Sequence, residues 1–173
     1  MKRIAIIDVG SNSARLVIME VHTFQASNLI YNQKDPLRLA LKTDRNGYLT
    51  EEAFSATITC LKNFASMCRV FHVDETIAVA TAAIRNAPNG LKLAKAASEA
   101  SGISLEIISG KTEAFLSYLG VINTIPVKDA LVFDLDGVGM PQLRDTLHQM
   151  NNDILPQATF VVNSGRGFTY IMC

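Results

Sequence analysis

The sequence predicts an α/β protein in which helices pack on one mixed β-sheet. Two observations predict this class. Over the first 124 residues, short apolar runs that are typical of strands alternate with longer segments whose apolar residues recur every three or four positions. The resulting order is β, β, β, α, β, α, β, α, and turn-forming residues separate the segments. Alternation of this kind favours a single sheet covered by helices.

Three strands are predicted at the start of the chain. Residues 4–7 are all apolar, which is expected of a strand that is buried on both faces. The polar cluster at residues 8–13 predicts a turn, and β-rich runs at residues 16–21 and 28–31 predict the next two strands. The first two strands therefore meet at a polar turn.

Helical periodicity begins after the third strand. The first helix is predicted at residues 51–69, where Thr50 occupies the N-cap position. A buried strand is predicted at residues 76–80. A second helix is predicted to run from a cap at Asn89 to a stop at Gly102.

The last elements of the alternating order are a strand at residues 103–108 and a helix at residues 111–122. Residues 124–128 contain a proline and predict a domain boundary. We therefore expect a complete lobe over residues 1–124 and a partial or diverged second lobe over residues 125–173.

The composition limits the function classes. Sixteen Lys and Arg residues balance sixteen Asp and Glu residues, so no overall field attracts nucleic acid or an anionic membrane, and neither is an expected partner. The longest mostly apolar stretch, residues 114–127, falls short of the ~18 residues that a transmembrane helix needs. The three cysteines are odd in number and lack metal-ligand spacing, which indicates a reducing compartment and a cytoplasmic protein.

The turn formed by Gly10, Ser11, Asn12 and Ser13 has the chemistry of a phosphate site. It carries successive backbone amide donors, two hydroxyls and a side-chain amide, and Gly10 permits close approach of a ligand. Such concave arrays of donors bind phosphate without net positive charge. On spacing alone, an ordinary hairpin turn is the alternative interpretation.

Four stretches carry a wider resemblance, and they are residues 7–17 (IDVGSNSARLV), 49–53 (LTEEA), 80–87 (ATAAIRNA) and 107–121 (IISGKTEA followed by YLGV). Together they resemble the exopolyphosphatase and guanosine pentaphosphate phosphatase family, a branch of the sugar kinase, heat-shock chaperone and actin fold. The resemblance covers residues 1 to about 134. It implies a ribonuclease H-like mixed sheet with flanking helices for the first lobe, and a phosphoanhydride hydrolase as the function.

The resemblance also implies roles for individual residues. It assigns residues 10–13 to the first phosphate-binding turn and places Asp8 near a Mg²⁺ site. Arg85 matches an arginine that contacts phosphate, which suits its planar fork of donors. Glu113 matches the carboxylate that activates the attacking water, and the positive end of a helix dipole should keep it ionised near neutral pH. The structural alternatives are that Arg85 is a solvated surface arginine and that Glu113 only interacts favourably with the dipole of its helix.

Two positions near Glu113 depart from the family pattern. Thr112 replaces a common Glu, and Phe115 replaces a usual Arg. In the second phosphate turn, Asp134 and Gly137 remain in place, and the resemblance assigns Asp134 to the metal and Gly137 to phosphate.

The second turn itself is altered. Asp136 puts a negative charge where phosphate should approach the backbone, and Pro141 replaces the family's Glu. We therefore keep a second hypothesis, a non-catalytic phosphate-binding or interaction module from a truncated family member. Apolar surface left uncovered by an incomplete second lobe would also predict association into a homo-oligomer.

A third hypothesis starts from residues 131–138 (LVFDLDGV), which are similar to the nucleophile motif of haloacid-dehalogenase-like phosphatases. There Asp134 would be the phosphorylated nucleophile and Asp136 the general acid/base. The residues after Gly137 are too few for that family's sheet. On this hypothesis the segment would be at most a remnant of such a phosphatase.

The leading expectation is therefore a hydrolase that releases terminal phosphate from inorganic polyphosphate or guanosine pentaphosphate, with Mg²⁺ as its cofactor. Its partner would be polyphosphate or a phosphorylated guanosine nucleotide. Physically, such a site must neutralise charge on the phosphoryl group and position a water in line.

Overall fold

The computed structural model describes residues 1–22, 27–122, 131–136, 158–163 and 167–172. Its contacts divide the chain into two compact units, Met1–Gly110 and Lys111–Cys173. The boundary expected from sequence, between residues 124 and 125, stays a prediction.

The first unit contains a five-stranded sheet. Its strands are β1 (Lys2–Val9), β2 (Ser13–Val21), β3 (Ser27–Pro36), β4 (Glu75–Ala80) and β5 (Leu105–Ile107). They lie side by side in the order β3-β2-β1-β4-β5. The pairs β1–β2 and β2–β3 are antiparallel, and the pairs β1–β4 and β4–β5 are parallel. The sheet is therefore mixed, which confirms the fold class predicted from sequence.

Three helices follow the predicted order, and a fourth, short one lies between the first and second of them. In chain order the four are α1 (Glu51–Val70), α2 (Ala82–Arg85), α3 (Gly90–Ser101) and α4 (Gly110–Ile122), and a 3₁₀ turn covers Leu39–Leu41. Helix α2 was not predicted, because four residues are too few to show a helical period. Within the described residues, no helix is both long enough and apolar enough to cross a bilayer.

The second unit contains a three-stranded antiparallel sheet. Its strands are β6 (Leu131–Asp136), β7 (Ala158–Asn163) and β8 (Gly167–Met172), in the order β6-β8-β7.

The core of the first unit lies on one face of its sheet. Ile7 of β1 and Leu16 of β2 are fully buried there, and Phe64 of α1 and Leu93 of α3 belong to the same cluster. On the other face of β1, the side chain of Ile6 is 41% exposed. The expectation that β1 is buried on both faces was therefore wrong, since its side chains alternate between a covered and an open face.

The predicted helix ends are largely confirmed. Thr50 Oγ1 accepts a hydrogen bond from the Ala53 amide at 3.4 Å and so caps α1. Gly102 ends α3 in the left-handed conformation, with φ of 75°. Asn89 occupies the predicted N-cap position of α3, but its side chain makes no capping bond there. Its Nδ2 instead donates to the Leu49 carbonyl at 2.9 Å, and its Oδ1 accepts from the Leu49 amide at 2.9 Å.

We expect Asn89→Ala to lower the free energy of unfolding by about 1–3 kcal/mol, because it removes both partners of the buried Leu49 backbone. Urea denaturation measures this change. Asn46→Ala is the matched control. Asn46 is exposed on the loop that carries Leu49, and its side chain bonds to no described residue. Equal stability of the two variants would contradict the role given to Asn89.

Cys60 is a structural thiol. It is buried on α1, and its Sγ lies 3.6 Å from Asp35 Oδ2 on β3. Burial, and then the Asp35 carboxylate, raise the pKa of the Cys60 thiol to about 12. Because the thiolate is the reactive form, this cysteine is protected from nucleophilic and redox chemistry near neutral pH.

Candidate functional site

The candidate site lies where the parallel strands of the first unit end. The chain leaves β1 at the turn of residues 10–13, leaves β4 at the start of α2, and leaves β5 just before α4. These three strands are neighbours in the sheet. Open α/β sheets bind ligands at this edge, outside the carboxyl ends of their parallel strands.

The turn between β1 and β2 is closed by a hydrogen bond from the Gly10 amide to the Ser13 carbonyl, at 3.0 Å. The Asn12 carbonyl accepts from the amides of Leu37 and Arg38, at 3.0 and 2.8 Å. The turn is therefore held against the loop that follows β3. Within the described part of the chain, the amides of Ser11 and Asn12 have no acceptor, whereas the Gly10 amide is used inside the hairpin.

Two further donors beside the turn are buried without an acceptor. Ser13 is only 3% exposed, and its Oγ has no hydrogen-bond partner among the residues that the structure describes. The same holds for Arg15 Nε, two residues further along β2. Buried polar groups are nearly always paired, so each such atom requires an explanation. An anion bound at the turn would supply the missing acceptors.

Arg15 was not among the residues selected from the sequence as phosphate ligands. It appears there only within the stretch of residues 7–17 that carries the resemblance. Its spacing from Ser13 places both side chains on the same face of β2. That alternation is a signal that sequence reasoning could have used.

Asp8 lies on β1 opposite Arg15, in the register of the β1–β2 pair. Its Oδ1 atom is buried. Among the residues whose side chains are described, no group of three or more His, Cys, Asp or Glu could hold a metal. Mg²⁺ commonly uses only one or two carboxylates, with substrate phosphates and waters as its other ligands. Asp8 fits that limited role.

Arg85 ends α2, one short connection away from β4. The Thr81 amide donates to the Val9 carbonyl at 3.1 Å, which holds the start of α2 beside the turn. The Nη1 of Arg85 donates to the Ile108 carbonyl at 3.2 Å. A Cβ placed on Gly110 would lie 3.6 Å from Arg85 Nη2, so the guanidinium packs beside the glycine that opens α4.

Glu113 lies in the first turn of α4, and its side chain is half-buried. This agrees with the helix-start position expected from sequence. That its carboxylate faces the turn of residues 10–13 stays a prediction. Asp134 lies on β6, but its side chain is not described. Gly137 lies outside the described residues.

Comparisons with known proteins agree with one another. A sequence model of the Ppx/GppA phosphatase family matches residues 6–139, which include Asp8 and Gly137. A putative exopolyphosphatase of Haemophilus influenzae is 32% identical over 138 residues, which are 79% of this chain and 42% of that protein. A bifunctional 3-dehydroquinate synthase/phosphatase of Fusobacterium nucleatum is 34% identical over 144 residues, which are 77% of this chain and 21% of that protein. This chain thus spans less than half the length of these relatives.

Solved structures show the same likeness. The type II variant of the Aquifex aeolicus Ppx/GppA phosphatase matches with a TM-score of 0.68 and 29% identity, over 76% of this chain and 44% of that chain. An exopolyphosphatase from Cytophaga hutchinsonii matches with a TM-score of 0.71 and 25% identity, over 85% of this chain and 54% of that chain.

Proposed function

The chain belongs to the Ppx/GppA phosphatase family, and from this premise we propose that it hydrolyses the terminal phosphoanhydride of inorganic polyphosphate or guanosine pentaphosphate. The observation that carries the proposal is the set of donors without acceptors at the β1–β2 turn. The amides of Ser11 and Asn12, Ser13 Oγ and Arg15 Nε have no acceptor among the described residues. Four such donors beside one turn are suited to phosphoryl oxygens.

The turn and Arg85 would bind the phosphoryl group. Amide and hydroxyl donors hold its oxygens, and a guanidinium offsets the charge that spreads over them in the transition state. The bond from Arg85 Nη1 to the Ile108 carbonyl holds the guanidinium at the end of β5.

Asp8 is the described residue that would hold Mg²⁺, and Asp134 is the second carboxylate proposed for it. The ion held there would supply positive charge that offsets the charge of the phosphoryl group. Asp8 can serve as a metal ligand at this site because it lies on β1, two residues before the turn.

Glu113 would act as the general base. In the proposed step, a water oxygen forms a bond to the terminal phosphorus while the bridging P–O bond breaks. The proton of the water passes to the Glu113 carboxylate, and the shortened chain leaves with the bridging oxygen. Glu113 lies in the first turn of α4, as the proposed role requires.

A binding-only module is the second candidate function. It is favoured by Asp136, which stands in the second phosphate turn as an additional negative charge. Such a module would bind a phosphate chain at the first turn and release nothing.

Phosphate release from the full 173-residue chain, beside calorimetric titration with the same substrates, tests the proposal. We expect release that requires Mg²⁺ and stops on addition of EDTA.

Arg85→Ala should raise KM about tenfold or more, because a charged hydrogen bond to phosphate is lost. Arg45→Ala, which alters an exposed arginine of the loop after β3, is the control.

Binding without release would favour the module. Neither binding nor release at high protein concentration would contradict both functions.

A further inference from the structure

The segment that follows β3 wraps around the β1–β2 turn. The amides of Leu37 and Arg38 both donate to the Asn12 carbonyl, and the Ala40 amide donates to the Ser11 carbonyl at 3.1 Å. Between these bonds the backbone bends at Arg38, whose φ of 52° and ψ of 45° are left-handed. Arg38 therefore lies directly beside the turn.

The left-handed conformation is costly for an arginine, because its Cβ crowds the following carbonyl oxygen. Glycine has no Cβ and would adopt the same bend without this crowding. The bend thus explains the conformation of residue 38 but not the choice of residue. Apart from glycines, Arg38 and His72 are the only described residues with positive φ.

His72 follows α1, and its conformation has a local cause. Its amide donates to the Arg69 carbonyl at 3.1 Å, and the Val73 amide donates to the Cys68 carbonyl at 2.9 Å. Helices commonly end in this pattern, with one left-handed residue. Arg38 instead precedes a 3₁₀ turn, and the residue before a helix is usually extended. No helix end accounts for Arg38.

The Arg38 side chain gains nothing from the rest of the described protein. It is exposed, and it makes no hydrogen bond or ion pair with any described residue. On the same loop, by contrast, Lys42 Nζ pairs with Glu52 Oε1 at 2.9 Å. Strained residues of this kind cluster where proteins hold ligands. A bound anion would give the arginine the partner that the described protein does not.

Positive charge gathers at this end of β2 and β3, although the whole chain has no net charge. Arg15 and Lys34 are partners in the register of the two strands. Arg38 follows β3 by two residues and is the third cation there. A guanidinium presents a planar fork of donors that matches phosphate oxygens.

The position of Arg38 in the sheet indicates which phosphate it would meet. Arg85 follows β4 on one side of the β1–β2 turn, and Arg38 follows β3 on the other side. The donors of the turn and Arg85 already serve the terminal phosphoryl group in the proposed function. Arg38 is therefore placed for the part of the phosphate chain that extends beyond the turn.

We propose that Arg38 is a further substrate-binding residue, whose guanidinium binds the second phosphate of the chain while the turn holds the terminal one. The inference rests on the proposed function, since the terminal phosphate must be held at the turn of residues 10–13. Arg38 should then matter only for ligands with two or more phosphates.

The test compares dissociation constants of orthophosphate and imidodiphosphate, measured by calorimetry on the full chain with Mg²⁺. Imidodiphosphate carries two phosphates on a nitrogen bridge that resists hydrolysis. Arg38→Gly removes the guanidinium and permits the left-handed backbone, whereas Arg38→Lys keeps the charge. Arg45→Gly is the matched control, because Arg45 is exposed on the same loop and its φ is not positive.

We expect Arg38→Gly to bind imidodiphosphate about tenfold more weakly than the wild type and orthophosphate with unchanged affinity, because one charged hydrogen bond to the second phosphate is lost. Arg38→Lys should recover part of this loss, and Arg45→Gly should keep both affinities. The urea midpoint of Arg38→Gly should not fall below that of the wild type, since glycine fits the bend.

An Arg38→Gly chain that binds imidodiphosphate as tightly as the wild type would make Arg38 an ordinary solvated arginine and overturn the inference. An equal loss for both compounds would also overturn it, because Arg38 would then only hold the turn in shape. Either result leaves the proposed function standing. A wild-type chain that binds neither compound would instead overturn the proposed function.

Discussion

Replacing Glu113 by Gln is expected to lower kcat for phosphate release by about 10²–10⁴-fold, because the amide cannot accept the proton of the attacking water. Gln has nearly the same shape as Glu, so the start of α4 should keep its structure. In this mechanism the turn and Arg85 bind the phosphate chain, and Glu113 does not. Calorimetry should therefore show a dissociation constant close to the wild-type value, while a phosphate-release assay shows the loss.

Glu99→Gln is the matched control, because Glu99 is an exposed glutamate near the end of α3. Its kcat should equal that of the wild type. A Glu113→Gln chain that turns over at the wild-type rate would remove Glu113 from the mechanism. A chain that loses binding and turnover together would give Glu113 a structural role instead.

Replacing Gly90 by Ala should destabilise the protein by about 3 kcal/mol or more, since the added methyl has no space. Gly90 is buried at the start of α3. A Cβ placed on it would overlap the Ile84 carbonyl oxygen and lie 2.8 Å from the Ile84 carbonyl carbon. Both are backbone atoms, so α2 would have to move as a unit. Arg85 follows Ile84 directly, and it would move with the helix.

Urea denaturation measures the loss of stability, and the binding titration measures the effect on Arg85. Gly120→Ala is the matched control, because a Cβ on Gly120 meets nothing within 4 Å. Alanine favours helix by about 1 kcal/mol over glycine, so this control should leave stability unchanged or raise it. A Gly90→Ala protein as stable as the wild type would show that the two helices can separate at little cost.

The long elements of the fold were predictable, and the physical reason is local. Each strand and each long helix carries its burial pattern in consecutive residues, as the steps of three and four in α1 illustrate. Thr50 and Gly102 were also predictable, because a cap bonds to atoms only a few positions away. Asn89 looked equally local, yet its side chain bonds to Leu49, forty positions earlier.

The candidate site likewise has one part that could be predicted from sequence and one part that could not. The amide-rich turn at residues 10–13 was predictable, because its donors are neighbours in sequence. The unpaired state of Ser13 Oγ and Arg15 Nε was not, since burial of these atoms depends on the surrounding sheet. Gly90 carried no signal either, because the atom that excludes a side chain there belongs to Ile84 of another helix.

The sequence by itself determined the order of strands and helices, the polar turn after β1 and the family resemblance. All three depend on residues that are adjacent or regularly spaced along the chain. Only the tertiary structure decided which face of the sheet is covered and which donors at the turn lack acceptors. These properties depend on contacts between segments that are distant in sequence, and neither periodicity nor motif spacing encodes such contacts.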